Sequence, residues 1–405
     1  MTVRIRRGTA RGRVTAPASK SIAHRYLIAA ALARGESRLF GITPSEDIRA
    51  TCDALAALGC GIRTDGTTVT VTGTDDLTPR EVLPCRECGT TLRLLLPLCL
   101  ITGEAATLTG SEKLLSRPLG VYRDLARERG FRFTEAPGRV CVAGRLTPGA
   151  YRIPGDVSSQ FASGLCYALA CLDGESTLTL TGAVESRSYI DLTLDALRAF
   201  GVGAAFSDER TICIPGGRTF RAGVHTVEGD ESNAAFFSAL AALGDPVEVL
   251  GRNPATRQGD RVAASYFAEL RAGAATLSVA DCPDLAPILV VVAALSHGGV
   301  LTDTARLRLK ESDRGAAMAE ELAKCGVRVT VEDDRLTVDA GGLTPPREPL
   351  SGHNDHRIVM ALAVLLTRLG GEITGAEAVA KSYPDFFDRL AELGIRVEAG
   401  ATYAG

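Results

Sequence analysis

The segment APASKSIAHR, residues 16–25, concentrates groups that bind anions. Ser19, Lys20, Ser21 and Arg25 follow a proline and precede the apolar run YLIAAALA, which predicts that they lie at the start of a buried helix. A helix start offers free backbone N–H groups and the positive end of the helix dipole, so two hydroxyls and two cations there favour a site for anionic oxygens. An N-cap serine with solvated neighbours is the simpler alternative for this segment.

Five further predicted helix starts carry similar side chains, at residues 89–93, 158–160, 232–233, 283–284 and 355–357. Hydroxyls, amides, small residues and cations dominate them. Capping accounts for the serines and aspartates, but not for Lys20, Arg93 and Arg357 directly beside them. If these helix starts converge, they form a surface that holds anionic oxygens through helix dipoles and charge-assisted hydrogen bonds.

Three other stretches add charge. LLSRPLG contains Arg117 beside a proline that fixes the local backbone. LKESDR contains Lys310, Glu311 and Arg314, and AKSYPDFF places Lys381 before a turn and a helix. Each stretch by itself is typical of a solvated charge, a local ion pair or a helix cap. Only in combination with the helix starts do they favour an anion site.

The elements that position these residues recur along the chain. Each repeat has an apolar helix, a Gly turn, a strand of threonines and aliphatics, and an amphipathic helix, and the fourth repeat is degraded. The glycines that close the repeats are Gly59, Gly130, Gly201, Gly273, Gly326 and Gly394. A helix that is apolar all round is buried, whereas an alternating strand belongs to a sheet with one wet face. The pattern predicts an α/β fold with helices inside, sheets outside and three repeats in each of two domains.

Composition excludes several functional classes. The 405 residues suit two large domains, and 45% hydrophobic with 23% charged residues is typical of a soluble globular protein. A net charge of −3 gives no bulk attraction to nucleic acid or anionic membranes. Tryptophan is absent and no stretch has the pattern of a signal peptide or a membrane span. We expect no nucleic-acid or membrane partner.

The eleven cysteines show no pattern of a structural site. The CREC stretch, residues 85–88, has CxxC spacing, but no second Cys/His pair accompanies it, which disfavours zinc. Several other cysteines lie in apolar helical runs, where a thiol acts as a small hydrophobe. An odd number of irregularly spaced thiols is typical of a reducing compartment, so we expect a cytoplasmic protein without a metal.

The motifs together resemble the 5-enolpyruvylshikimate-3-phosphate (EPSP) synthase family, the 3-phosphoshikimate 1-carboxyvinyltransferases. SKSIAHR resembles the SKS-x-x-x-R motif, CGTTLR the Gly-Thr helix start and LLSRPLG the RPxG loop of that family. VSSQF, SYID, VEGDESNAAFF, LKESDR, NDHR and AKSYPDFF follow in family order, so the resemblance covers essentially the whole chain.

The resemblance implies a two-domain inverted (inside-out) α/β fold of six βαβαββ-type units, with the active site in the interdomain cleft. It places residues 16–227 in an N-terminal domain on the shikimate-3-phosphate side. Residues 1–15 and 228–405 then form a C-terminal domain on the phosphoenolpyruvate and catalytic side.

The implied reaction transfers the enolpyruvyl group of phosphoenolpyruvate to the 5-hydroxyl of shikimate-3-phosphate and releases phosphate. It belongs to the shikimate pathway to chorismate and aromatic amino acids. The addition and elimination need a proton for the methylene carbon and a base for the hydroxyl, but no covalent enzyme intermediate. We therefore expect no cofactor, and the two phosphates and two carboxylates account for many cations in a protein of negative net charge.

Residue roles follow from the family motifs. The catalytic candidates are Asp284, as base toward the 5-hydroxyl, and Glu311 and Lys20, for proton delivery. The residues implied to hold shikimate-3-phosphate are Lys20, Ser21, Arg25, Ser158, Ser159, Gln160, Ser186, Asp284 and Lys310. Those implied to hold phosphoenolpyruvate are Lys20, Gly89, Arg117, Gln160, Arg314, Arg357 and Lys381. Gly89 has no Cβ, so an anion could approach its backbone.

Two positions depart from the family pattern. Glu87 and Cys88 stand where Asn-Ala is commoner, and we expect Glu87 to face Arg86 or Arg93 rather than a ligand. Arg306 occupies a position that contacts shikimate in the family, and we assign it no role.

Two other functions remain open. UDP-N-acetylglucosamine enolpyruvyl transferases share the fold and donor but use a cysteine in the loop near the Arg-Pro, where TGSEKLLSRPLG has none. A non-catalytic repeat protein that binds phosphorylated metabolites would need the cations without Asp284 and Glu311. We expect a monomer that acts on small molecules.

Overall fold

The computed structural model describes residues 1–217 and 220–399. The chain forms two compact units, which we call the N-terminal unit (Ala18–Glu228) and the C-terminal unit (Met1–Pro17 with Gly229–Gly405). The domain boundaries predicted from the resemblance, at residues 15/16 and 227/228, lie two residues and one residue from these divisions.

The helices and strands follow one another in short segments. The α-helices are α1 (Lys20–Ala31), α2 (Glu46–Ala57), α3 (Gly89–Leu98), α4 (Glu112–Leu115), α5 (Gly120–Arg129), α6 (Ser159–Ala170), α7 (Arg187–Ala199), α8 (Glu231–Ala242), α9 (Ala263–Ala272), α10 (Ala286–Ala294), α11 (Arg314–Lys324), α12 (His356–Leu369) and α13 (Phe386–Glu392). Short 3-10 helices are Gly259–Val262, Pro283–Leu285, Ala305–Leu309 and Ala376–Lys381.

The strands are β1 (Thr2–Ile5), β2 (Gly12–Thr15), β3 (Ala33–Arg34), β4 (Glu36–Phe40), β5 (Gly61–Asp65), β6 (Thr68–Thr72), β7 (Leu83–Pro84), β8 (Gly103–Thr109), β9 (Arg132–Ala136), β10 (Arg139–Gly144), β11 (Ala150–Pro154), β12 (Ser176–Thr181), β13 (Ala205–Phe206), β14 (Thr211–Ile214), β15 (Phe220–Arg221), β16 (Val224–Thr226), β17 (Val247–Leu250), β18 (Ala275–Ser278), β19 (Gly299–Thr302), β20 (Val329–Val331), β21 (Arg335–Val338), β22 (Leu350–Ser351), β23 (Gly371–Thr374) and β24 (Val397–Ala399).

One sheet topology recurs in both units: a parallel pair of strands, then two antiparallel pairings. The N-terminal unit contains the sheets β16-β4-β6-β5, β7-β8-β10-β9 and β11-β12-β14-β13. The C-terminal unit contains β18-β19-β21-β20 and β22-β23-β1-β24. The fourth repeat keeps only the parallel pair β17-β2, in line with its degraded sequence. In the last sheet β1, the first strand of the chain, pairs between β23 and β24.

The first helix of each repeat is buried and the strands face solvent on one side. Every residue of α10 is buried, and α12 is buried from His356 to Thr367, whereas β12 buries alternate residues. The N-terminal and C-terminal units each have their own hydrophobic cluster. Helices therefore lie inside and sheets outside, which confirms the predicted inverted α/β fold. Among the described residues, no helix is both long and apolar enough to cross a membrane.

A glycine sets the spacing of two site-bearing helices. Helices α3 and α6 pack on each other, and a Cβ on Gly164 of α6 would lie 2.5 Å from the carbonyl oxygen of Arg93 in α3. A larger residue would push the helices apart, since a Cβ does not approach an oxygen that closely. The close packing brings the starts of α3 and α6 into hydrogen-bonding distance.

Candidate active site

The start of α1 carries an ion pair that sequence analysis did not identify. Lys20, the first residue of α1, donates from Nζ to Asp47 Oδ2 at 2.6 Å. Both side chains are mostly buried, 14% and 11% exposed. The sequence gives no signal for this role of Asp47, because an acidic residue in the first turn of α2, the second helix of the repeat, is also what the helix dipole favours. The carboxylate holds the Lys20 ammonium at the start of α1.

The start of α3 holds a cation close to the helix N-terminus. A Cβ built on Gly89 would lie 2.7 Å from Nη1 of Arg117, so the missing side chain makes room for that guanidinium. The sequence predicts that Gly89 admits an anion to its backbone; in the structure the guanidinium of Arg117 lies in the space that a side chain would take. A cation at the positive end of a helix dipole is repelled by it, and an anion that contacts both relieves the repulsion. The geometry supports anion binding by Arg117 and α3.

Gln160 links the starts of α6 and α3. Nη1 of Arg93 donates to Gln160 Oε1 at 2.9 Å, and Gln160 Nε2 donates to Thr90 Oγ1 at 2.9 Å. Both polar ends of the amide are thereby fixed, so its orientation is set by α3. The starts of α3 and α6, two of the helices expected to converge, therefore meet within this unit.

The predicted serines also lie at helix starts. Ser158 is the N-cap of α6 and accepts from Gln160 N at 3.3 Å, and Ser159 is the buried first residue of that helix. Ser186 is the buried N-cap of α7 and has a φ of 53°, in the left-handed region. Such a conformation costs a non-glycine residue on the order of 1 kcal/mol or more, and strained residues cluster at ligand sites.

Arg25 is more deeply engaged with protein than its predicted role requires. It is 2% exposed and donates hydrogen bonds to Thr193 Oγ1 (2.8 Å), Ser21 O (2.8 Å), Ser163 Oγ (3.2 Å) and Tyr189 O (2.8 Å). These bonds use four of the five N–H groups of a guanidinium. Burial lowers the pKa of Arg25 from its ordinary value. Arg25 therefore ties α1 to α6 and α7, and its contact with shikimate-3-phosphate stays a prediction.

In the C-terminal unit, Asp284 collects three cations. Its carboxylate lies 2.8 Å from Arg314 Nη1, 3.2 Å from Arg357 Nη2 and 3.6 Å from Lys310 Nζ. Burial acts to raise the pKa of Asp284, but Lys310, Arg314 and Arg357 outweigh it and hold the pKa well below its usual value. Burial is also the largest influence on Lys310 and lowers its pKa to about 8, against the opposing effect of Asp284.

Arg314 is clamped by two further carboxylates. Its Nε donates to Asp355 Oδ2 at 2.9 Å and its Nη2 to Glu311 Oε2 at 3.0 Å. Burial acts to lower the pKa of Arg314, but Asp355, Asp284 and Glu311 raise it well above its usual value. Asp355 is also the N-cap of α12 and accepts from Arg357 N at 2.9 Å. Within this cluster three carboxylates balance three cations and fix their positions.

The start of α12 gathers the remaining predicted residues. Arg357 Nη1 donates to Asn233 Oδ1 at 2.8 Å, and Lys381 Nζ donates to Asn354 O at 2.7 Å and Oδ1 at 2.9 Å. Asn354 has a φ of 52° and directly precedes the N-cap of α12. Three cations assigned to phosphoenolpyruvate, on Arg314, Arg357 and Lys381, are thus positioned around one helix start.

Beside the first departure from the family pattern Arg86 has protein partners, and at the second Arg306 has one. Arg86 lies 3.1 Å from Glu46 and also contacts Asp53, both on α2. The expectation that Glu87 faces Arg86 or Arg93 stays a prediction. Arg306 is buried and donates to the carbonyl oxygen of Ala280 at 2.7 Å.

Known proteins match the chain over nearly its whole length. The sequence profile of the family "EPSP synthase (3-phosphoshikimate 1-carboxyvinyltransferase)" matches residues 6–390. Proteins named 3-phosphoshikimate 1-carboxyvinyltransferase from Clostridium kluyveri and Clostridium novyi are 37% and 35% identical, over 96% and 95% of both chains. A solved structure of EPSP synthase from Acinetobacter baumannii has a TM-score of 0.78 at 26% identity, covering 98% of this chain and 100% of that one.

Proposed function

Because this chain belongs to the EPSP synthase (3-phosphoshikimate 1-carboxyvinyltransferase) family, we propose that it transfers the enolpyruvyl group of phosphoenolpyruvate to the 5-hydroxyl of shikimate-3-phosphate and releases phosphate. It is then a transferase of the shikimate pathway to chorismate and aromatic amino acids. Asp284, which contacts Lys310, Arg314 and Arg357 at 2.8–3.6 Å, is the observation that carries this proposal. The cluster places a possible general base next to cations that can bind the phosphate and carboxylate oxygens of the substrates.

Asp284 is the proposed base. As the 5-hydroxyl of shikimate-3-phosphate attacks C2 of phosphoenolpyruvate, Asp284 takes its proton, while Glu311 or Lys20 supplies a proton to the methylene carbon. In the elimination, the deprotonated Glu311 or Lys20 takes a proton back from the former methylene carbon and the double bond is restored. The departing phosphate takes the proton held by Asp284, so that both groups return to their starting states. These proton transfers need no other reactant.

A carboxylate with a strongly lowered pKa is a weak base, and the cluster suggests how this changes on binding. Arg314 and Arg357 depress the pKa of Asp284 because their charge favours its ionised form. When phosphoenolpyruvate contacts the same arginines, its negative charge offsets theirs, and the pKa of Asp284 rises toward the range of an effective base. The donor would in this way prepare the base that activates the acceptor.

The other predicted residues are proposed to bind and orient the two substrates. Shikimate-3-phosphate is proposed to contact Lys20, Ser21, Arg25, Ser158, Ser159, Gln160, Ser186, Asp284 and Lys310. Phosphoenolpyruvate is proposed to contact Lys20, Gly89, Arg117, Gln160, Arg314, Arg357 and Lys381. Lys20 belongs to both sets because a cation that contacts both reactants offsets their mutual repulsion. The predicted meeting of the two sets in a cleft stays a prediction.

The test is a phosphate-release assay on the purified protein with both substrates, with the product identified by mass. We expect one phosphate and one enolpyruvyl adduct per turnover, and no release when either substrate is omitted. UDP-N-acetylglucosamine in place of shikimate-3-phosphate should give no turnover. Tight binding of both substrates in calorimetry without any turnover would instead support the non-catalytic alternative.

The finer statements about partners and location remain proposals. We propose that the protein acts as a monomer in the cytoplasm, without a nucleic-acid or membrane partner. Sedimentation of the purified protein at micromolar concentration tests whether it is a monomer, and sedimentation with DNA tests whether it binds nucleic acid.

A further inference from the structure

The structure brings three metal-ligating side chains together that lie far apart in sequence. His24, Asp47 and Cys88 each offer one ligand atom, and these atoms all lie within 4.8 Å of one another. His24 is on α1, Asp47 in the first turn of α2, and Cys88 is the N-cap of α3. All three residues are buried. Sequence spacing disfavoured zinc because Cys88 had no second pair nearby; its neighbours here come from other helices.

The separation of the thiol and the imidazole is close to that of two ligands in a tetrahedral site. Cys88 Sγ lies 3.9 Å from His24 Nε2. With metal–sulfur and metal–nitrogen bonds of typical length, two such ligands at a tetrahedral zinc ion would be about 3.6 Å apart. The Cys88–His24 pair therefore needs a contraction of about 0.3 Å to enclose an ion, and the pairs with Asp47, which lie within 4.8 Å, need at most about 1.4 Å.

Neighbouring hydroxyls orient the imidazole as the outer ligands of metal sites do. His24 Nδ1 lies 2.7 Å from Thr51 Oγ1, which lies 2.7 Å from Thr91 Oγ1. A hydrogen bond from Nδ1–H to Thr51 leaves the Nε2 lone pair directed at Cys88. Ligating histidines commonly donate the other ring N–H in this way, which fixes the tautomer. The same geometry argues against a nucleophilic triad, since a hydroxyl and not a carboxylate contacts Nδ1.

We propose that His24, Asp47 and Cys88 bind a Zn²⁺-type cation and that this binding inhibits the enzyme by taking Asp47 from Lys20. One thiolate, one imidazole and one carboxylate are ligands that zinc accepts, with a fourth position left for water. The thiol proton of Cys88 is released to solvent on binding. The Lys20 and Asp47 side chains are mostly buried, but their exposed fractions of 14% and 11% leave the ion a route from solvent.

Inhibition follows from the contact that the ion replaces. Asp47 accepts from Lys20 at 2.6 Å, and a carboxylate that ligates a dication no longer holds the ammonium. The dication also repels Lys20, which the proposed function places between the two substrates. This regulatory step rests on that proposed function, whereas metal binding itself does not.

A second group of possible ligands provides a comparison within the protein. Glu320, Glu321 and His353 also lie within 4.8 Å of one another. There Glu321 already accepts from Lys324, Ser351 N and His353, and the group has no thiolate. We expect it to bind zinc only weakly.

The first experiment measures binding of the metal alone to substrate-free protein. Zn²⁺ is titrated by calorimetry, and Co²⁺ is titrated as a spectroscopic probe in which a thiolate ligand gives a charge-transfer band. We expect one high-affinity site with that band in the wild type. Cys88→Ser keeps the cap geometry but should lose the band and weaken Zn²⁺ binding at least tenfold, as expected for a change that disrupts the ligand set. Cys213→Ala and His353→Ala should bind like the wild type.

The second experiment measures turnover with increasing Zn²⁺, relative to each variant's own metal-free rate. Zinc should inhibit the wild type and Cys213→Ala reversibly, with recovery on adding chelator, and should inhibit Cys88→Ser at least tenfold less potently. Equal zinc affinity in wild type and Cys88→Ser, or no thiolate band with Co²⁺ in the wild type, would overturn the site. Binding without inhibition would overturn the regulatory step. If Cys88→Ser does not fold, the site is tested with Cys88→Ala and with the Co²⁺ spectrum of the wild type. A wild-type protein that binds zinc but shows no turnover, even without metal, would refute only the proposed function.

Discussion

Replacement of Asp284 by asparagine removes the proposed base while it preserves the shape of the side chain. The amide oxygen can still accept from Arg314, which lies at 2.8 Å, but it cannot take the hydroxyl proton. Loss of a general base costs about a hundredfold to ten-thousandfold in turnover. At about 1.36 kcal/mol per tenfold change, the activation barrier should rise by about 2.7–5.4 kcal/mol.

The surrounding contacts predict that the variant folds and binds the donor. Arg314 keeps Asp355 at 2.9 Å and Glu311 at 3.0 Å, and Arg357 keeps Asn233 at 2.8 Å. The change turns a balanced cluster into one with a single excess positive charge, and we expect a stability loss of about 1–3 kcal/mol. The excess charge favours an anion, so the KM for phosphoenolpyruvate should stay the same or fall.

Steady-state kinetics and thermal melts on Asp284→Asn test this reasoning, with Asp313→Asn as the matched control. Asp313 is the exposed N-cap of α11, and asparagine caps a helix as well as aspartate does. The control should retain wild-type turnover. A kcat within tenfold of wild type in folded Asp284→Asn would refute the role as base. A similar loss in Asp313→Asn would show that the substitution acts through the fold.

Four further predictions concern three cations of the site. Lys20→Met should abolish measurable turnover, since a lost charge-assisted contact in a water-poor site costs about 2–4 kcal/mol. It should also lower the melting temperature, because Asp47 loses its partner. Lys20→Arg should restore the melting temperature. Arg25→Ala should raise the KM for shikimate-3-phosphate more than that for phosphoenolpyruvate. It should also destabilise the fold, because the acceptors that Arg25 contacts lose their donor. An unchanged melting temperature would contradict this second expectation. Lys310, with a pKa of about 8, loses its charge above that pH, so the KM for shikimate-3-phosphate should rise there in wild type but not in Lys310→Arg. Because this pKa lies below the ordinary 10.5, the unfolded chain binds more protons between about pH 8 and 10.5, and Lys310 should make stability increase with pH in that window, which urea titrations would measure.

The sequence by itself determined the family, the fold and the helix starts. The motifs identified the EPSP synthase resemblance, which the family match over residues 6–390 and the relatives at 35–37% identity confirm. The apolar helices and alternating strands predicted an inside-out fold because hydrophobic period and burial are local properties of a segment. Ser158 and Asp355 were recognisable as caps for the same reason: a cap bonds to backbone only two or three residues away.

Only the tertiary structure decided which side chains meet. Asp284 and Arg357 are 73 positions apart, Lys20 and Asp47 are 27 apart, and Cys88 lies 64 positions from the histidine it faces. No spacing rule connects such residues, because their contact depends on how separate helices pack. Gly89 shows the same limit. The sequence predicts that this position has no room for a side chain, but only the packing shows that Arg117 occupies the space. The sequence determines which residues are charged. The tertiary structure determines which charges lie close together, and therefore how the pKa of each group is shifted.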